Sequence, residues 1–111
     1  MKRLLTLILV TLLFWTSTFN LSAHAVDITI GAKVFNENCA GCHINGSNII
    51  RRGKNLKKNA LKRYGMDSLE AITAIVNNGK NNMSAYKDKL SIQEIENVAA
   101  YVLEQAEKDW R

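Results

Sequence analysis

The run Cys39-Ala40-Gly41-Cys42-His43 constrains this chain more than any other stretch. It holds both of the chain's 2 cysteines and one of its 2 histidines. C-x-x-C-H is the attachment signal for a c-type haem. Thiols three residues apart lie on one face of a helical turn, where both can add across the two vinyl groups of a protohaem. The adjoining imidazole then points at the iron. One haem c per chain is therefore expected, linked through Cys39 and Cys42, with His43 as one axial ligand.

Other cysteine chemistries share the C-x-x-C spacing. A thioredoxin-like redox pair expects a βαβ context, and the chain shows no convincing strand alternation. A zinc site needs more ligands, yet no further cysteine exists and the other histidine is His24. A disulfide between positions three apart closes too short a loop to be a useful staple.

Residues 1–25 read as a secretory signal that is cleaved. Lys2 and Arg3 form its basic start, Leu4 to Trp15 its apolar core, and Ala23-His24-Ala25 its small-x-small cleavage site. An uncleaved anchor is the alternative. The apolar run falls short of the roughly 20 residues that span a bilayer, and polar Thr16, Ser17 and Thr18 follow it, so no stable membrane insertion is expected. Cleavage after Ala25 removes His24 and leaves His43 as the only histidine of a mature domain, residues 26–111. Export suits the cysteines as well. Thiols in an oxidising compartment are usually paired, and haem thioethers would consume both.

A domain of that size is close to the limit at which an apolar core alone suffices; a buried haem would supply much of what is missing. With 0 prolines, 6 glycines and no repeats, the chain reads as one folded unit. Ser91-Ile92-Gln93-Glu94 is a capping box that opens a helix to about Glu107, with Ile92, Ile95, Val98, Ala99, Val102 and Leu103 at helical spacing. A second helix starts near Asp67 or Ser68, carries Leu69, Ile72, Ile75 and Val76, and stops at Asn78-Gly79. A third runs from Thr29 to about Cys42, and a short helical piece falls within Asn55 to Arg63. The expected class is all-α, about four helices around one covalently bound haem.

One histidine leaves the second axial position to another residue type. Methionine suits it, because a soft thioether favours ferrous iron and a high reduction potential. Met66 precedes a helix start and reads as a packing residue. Met83 follows the Gly79 stop in an irregular polar loop, Lys80-Asn81-Asn82, which can arch over a ring face. Met83 is the better-placed ligand.

Several segments in register resemble the cytochrome c6 family, the soluble cytochromes of cyanobacterial and algal photosynthesis. They are Phe35 to His43, Asn55-Leu56-Lys57-Lys58 with Ala60-Leu61, Tyr64-Gly65-Met66, Asn78 to Met83, and Val98 to Leu103. The resemblance implies a class I cytochrome c fold whose N- and C-terminal helices cross, with Gly31 and Phe35 meeting Tyr101. It also matches Cys39 and Cys42 to the thioether positions, and His43 and Met83 to the axial ligands. The implied task is carrying one electron from the cytochrome b6f complex to photosystem I, as a monomer in the thylakoid lumen, with the periplasmic side of the membrane as the other compartment. Three positions depart from the family pattern. Ser84 stands where a proline would fix φ after the ligand methionine. Ile75 replaces a glutamine, which changes the polarity that tunes potential. Lys89 replaces an arginine and loses its planar fork.

The formal net charge is +5. Arg51, Arg52, Lys54, Lys57, Lys58, Lys62 and Arg63 form a stretch without a carboxylate, while Glu94, Glu96, Glu104, Glu107 and Asp109 gather near the C-terminus. This reads either as an ordinary solvated face or as electrostatic steering toward an acidic partner. Nucleic-acid binding is disfavoured for an exported haem protein without aromatic interleaving. The leading reading is an electron carrier and not an enzyme. One alternative keeps the carrier and changes the acceptor, for example to a terminal oxidase. Another is an open-site haem enzyme or sensor; a mature chain with no second histidine lacks the usual distal base for peroxide chemistry.

Overall fold

The computed structural model of the protein describes residues 1–15 and 24–111. Its helices are α1 (Lys2–Trp15), α2 (Ile28–Asn38), α3 (Ala40–His43), α4 (Lys58–Arg63), α5 (Leu69–Asn78) and α6 (Ile92–Glu107), with 3-10 turns at Ile44–Gly46 and Arg52–Lys54. Among the described residues there is no strand, only an isolated bridge between Lys80 and Met83. The all-α expectation holds. Leu4, Leu5, Leu7 and Leu9 of α1 are exposed, and no described helix is long and apolar enough to cross a membrane. Ala23 of the expected cleavage site lies outside the described residues; His24 and Ala25 are exposed and non-helical.

The crossing of α2 and α6 organises the domain. Asp27 caps α2 by accepting the Ile30 N–H at 3.1 Å, which satisfies one of the orphan donors at a helix start. The Asp27 N–H in turn donates to Asn97 Oδ1 at 2.8 Å. Asn97 is only 1 % exposed, and its oxygen also accepts from Gln93 Nε2, so this buried polar atom is well satisfied. Gly31 lies directly against α6. A Cβ there would sit 2.8 Å from the Asn97 carbonyl carbon and 2.9 Å from Tyr101 Cβ. One turn on, the buried Phe35 ring lies 5.4 Å from that of Tyr101. The expected meeting of Gly31 and Phe35 with Tyr101 is therefore observed.

On α6 the capping box forms as read, with Ser91 accepting from Glu94 N and Glu94 accepting from Ser91 N. Its inward stripe is Ile95, Val98, Ala99, Val102 and Ala106, which packs with Val34, Phe35, Leu61, Ile72 and Val76 in one core. Ile92 departs from the expected stripe: at 76 % exposure it projects into solvent from the first helical position. Below it, α5 is capped by Ser68 and ends at Gly79, matching the expected bounds. Helix α4 is confined to Lys58–Arg63.

After α6 the chain turns back on itself through Asp109 (φ 55°) and Trp110 (φ 57°). Trp110 donates from Nε1 to the Leu56 carbonyl at 3.0 Å, and its ring stacks 5.1 Å from Phe35. Gly46, at φ 73°, gives the indole room; a Cβ there would come to 2.5 Å from Trp110 Cγ. A left-handed conformation costs a side-chain-bearing residue about 1–2 kcal/mol, against roughly 0.5–1 kcal/mol of extra chain entropy for glycine. Asp109→Gly is therefore expected to stabilise the holoprotein by about 1 kcal/mol in denaturant titrations. The exposed Lys57–Asp109 pair at 3.7 Å contributes little to offset this. A lowered midpoint would mean that the aspartate's ion pairs outweigh the backbone strain.

Candidate haem site

The sequence predicts one helix through Cys42, but the structure breaks it at Cys39. Helix α2 ends at Asn38, Cys39 adopts φ −117° and ψ −34°, and a single turn, α3, restarts at Ala40. The hydrogen bonds explain the break. In a continuous helix the Asn38 carbonyl would accept from Cys42 N. Instead Cys42 N bonds the Cys39 carbonyl at 3.1 Å, as does His43 N at 2.9 Å. The freed Asn38 carbonyl accepts from Tyr86 Oη at 3.0 Å, a partner 48 positions away. The break leaves Cys39 half-buried and Cys42 exposed, both as free thiols.

Burial pushes the Cys39 thiol up to about 11, opposed in part by the positive charge of Lys89. At neutral pH it is therefore a protonated thiol. Tyr86 is also raised, chiefly by burial, with a further contribution from the neighbouring Cys39 and Cys42.

His43 is half-buried, with Nδ1 2.8 Å from the Ser47 carbonyl oxygen. A carbonyl only accepts, so Nδ1 carries a proton, and in the neutral ring the lone pair is on Nε2. That is the tautomer that binds a metal, and such outer hydrogen bonds fix the orientation of ligand imidazoles. The reach is made possible by Asn45 (φ 50°) and Gly46 (φ 73°), which turn the chain sharply after His43.

The Met83 loop is built with equal economy. Gly79 has φ 68° and ψ 173°, a region open essentially to glycine alone. A Cβ there would lie 2.6 Å from the Met83 carbonyl oxygen. Lys80 and Met83 exchange backbone bonds, each of 3.0 Å, and Tyr86 N returns the chain to the Val76 carbonyl at 2.9 Å. Met83 is partly buried against the same core as Cys39, Ala40, Ile75 and Tyr86. Met66 packs there too, and its N–H closes the end of α4 on the Leu61 carbonyl.

These residues fit a covalent haem. Two unpaired thiols share one turn, an oriented imidazole follows them, and a thioether enters the same core from another loop. Beside the carbonyl that holds His43, the buried Ser47 Oγ has no hydrogen-bond partner among the described residues; a polar group of the cofactor would satisfy it. Among the described residues no group of three or more His, Cys, Asp or Glu is placed to hold a metal ion. The sequence reading missed Tyr86. Nothing in its local spacing marked it, because its partner is remote.

Three comparisons place the chain. The family model described as "Cytochrome C oxidase, cbb3-type, subunit III" matches residues 26–102. A protein of Nostoc sp. named cytochrome c6-like is 68% identical over 111 residues, covering 100% of both chains. Cytochrome c6 of Synechococcus sp. is 51% identical over 110 residues, 99% of this chain and 98% of that one. Among solved structures, cytochrome c6C from Synechococcus sp. superposes with a TM-score of 0.71 at 58% identity, over 73% of this chain and 99% of that one. The helical architecture is thus the class I cytochrome c fold, and covalently bound haem c is the cofactor. This chain belongs to the cytochrome c6 family of haem c electron carriers.

Proposed function

We propose that this protein carries single electrons from the cytochrome b6f complex to photosystem I in the thylakoid lumen, as a monomer released by cleavage after Ala25. Cys39 and Cys42 hold the haem through thioether bonds, and His43 and Met83 are its axial ligands. Two observations support the reading: the Met83 loop is fastened to Asn38, directly before the haem motif, and His43 Nδ1 is held by the Ser47 carbonyl, which points Nε2 away from it.

When bound, the haem supplies a ferric–ferrous couple. The chain's own residues supply the rest. The Ser47 carbonyl orients the imidazole, the Met83 sulfur favours the reduced state, and the packed core around Val34, Phe35 and Val76 keeps water and reorganisation small. No acid–base chemistry is required, in keeping with a carrier.

Docking rests on charge. Lys57 pairs with Asp109 at 3.7 Å and Lys58 with Glu107 at 2.6 Å, so the basic stretch and the acidic end of α6 touch and partly neutralise each other. Arg51, Arg52, Lys54, Lys62 and Arg63 have no ion pair among the described residues, nor do the exposed Lys80, Lys87 and Lys89 of the ligand loop. Those cations would steer a partner of opposite charge, and exposed Ile44, Ile49 and Ile50 following the haem motif offer apolar contact.

Flash-induced oxidation of the reduced holoprotein by photosystem I tests the acceptor. Rapid oxidation at low salt that slows several-fold as the ionic strength rises past about 0.1 M is expected. The family description that names an oxidase subunit, together with Ile75 and Ser84 in place of the usual glutamine and proline, favours a terminal oxidase as the second reading. Slow oxidation by photosystem I combined with fast oxidation by oxidase-containing membranes would establish that one instead.

A further inference from the structure

We propose that Tyr86 is a positioning residue for the Met83 sulfur, acting by clamping the ligand loop to the helix break that presents Cys39, Cys42 and His43. The proposal rests on the reading of Met83 as an axial ligand.

Among the described residues, the bond from Tyr86 Oη to the Asn38 carbonyl at 3.0 Å is the single hydrogen bond between segment 79–90 and segment 38–47. Every other fastening of the loop leads elsewhere. The Lys80–Met83 turn is internal, and Tyr86 N and Lys87 N bond the end of α5 through the Val76 and Asn77 carbonyls. The Tyr86 carbonyl accepts from Lys89 N and Leu90 N, both at 2.9 Å. One residue therefore joins three segments: the end of α2, the end of α5 and the exit of the loop. The Lys89 ammonium lies 5.9 Å from the centre of the phenol ring, close enough for a cation–π contact.

The acceptor matters as much as the donor. The Asn38 carbonyl is the group orphaned by the helix break, and Asn38 immediately precedes Cys39. Satisfying it with the phenol stabilises the break and fixes its distance from the loop in one contact. The two axial ligands enter from these two segments, so their separation is set there. Ser84 follows Met83 in a chain with 0 prolines, so no ring stiffens the backbone between Met83 and Tyr86. The phenol bond is the one hydrogen bond that ties this stretch to the haem-motif segment.

Tyr86→Phe keeps the ring and removes the bond. A hydrogen bond of ordinary net strength then predicts about five- to ten-fold faster carbon monoxide binding to the ferrous holoprotein. It also predicts loss of the ferric sulfur-to-iron charge-transfer band at a lower temperature than wild type, with haem still covalently attached. Asp27→Ala is the control, because it removes a cap on α2 far from the loop. It should lower the global unfolding midpoint and leave the carbon monoxide rate unchanged. If Tyr86→Phe moves that rate no more than Asp27→Ala does, Tyr86 is structural only and the proposal is overturned. Met83→Ala separates the two layers. Should the band survive in Met83→Ala, the ligand assignment fails and the proposal fails with it. Should the band vanish there while Tyr86→Phe leaves the rate unchanged, the proposal alone falls.

Discussion

Replacing Met83 with alanine is expected to abolish the ferric sulfur-to-iron charge-transfer band while leaving the haem covalently attached through Cys39 and Cys42. The side chain enters the core from a loop that can adopt few other shapes, because Gly79 sits at φ 68° and ψ 173° and the Lys80–Met83 bonds close the turn. No neighbouring thioether on that loop can substitute. The reduction potential should fall by tenths of a volt, since axial ligands set haem potentials over a span of about 0.8 V and methionine lies at the high end. Ferrous carbon monoxide binding should become fast. A band and potential unchanged in Met83→Ala, but lost in Met66→Ala, would move the ligand role to Met66.

Gly31→Ala should be strongly destabilising, because the added methyl group falls between the two crossing helices. The added carbon would lie 2.8 Å from the Asn97 carbonyl carbon and 2.9 Å from Tyr101 Cβ, and closer still to the Asn97 carbonyl oxygen. These are backbone or backbone-adjacent atoms, so no rotamer change relieves the contact and the helices must part. Overpacking of this kind costs about 3 kcal/mol, a large share of a small domain's roughly 5–15 kcal/mol. Parting the helices also stretches the Asp27–Asn97 bond. The denaturant midpoint of Gly31→Ala holoprotein should therefore fall well below that of Asp27→Ala, whose lost cap costs about 1 kcal/mol. A smaller shift in Gly31→Ala than in Asp27→Ala would show that the crossing has slack.

The parts of the fold that could be read directly were those with local causes. Ser91 and Glu94 announce the start of α6, and Asn78-Gly79 the end of α5, because caps and stops act within one turn. The haem motif is equally local, and so is the register that ties the chain to its family. The misreadings share the opposite character. Helix α2 stops at Asn38, and the carbonyl freed there is taken by a phenol 48 positions away; no window around Cys39 contains that partner. The basic stretch looked unopposed in sequence, yet Lys57 and Lys58 meet carboxylates that arrive from the far end of the domain. Ile92 fits the apolar period of α6 but projects from its first position, beyond the reach of α2. Periodicity tells which face is apolar; where the facing helix begins is a tertiary fact.

The partnership of α2 and α6 bears on how the chain is made. Phe35, near the start of the domain, is covered by Tyr101 and Trp110, near its end, and Asp27 is held by Asn97 across 70 positions. No N-terminal fragment can bury that ring by itself. Contacts of such long sequence separation form late, after most of the chain is available. A chain exported as proposed should therefore stay open until α6 has followed α2 through. During that interval the Cys39 thiol, half-buried once the domain has closed, is still reachable for haem attachment. On that order of events both sulfurs would stay reachable until the last helix arrives.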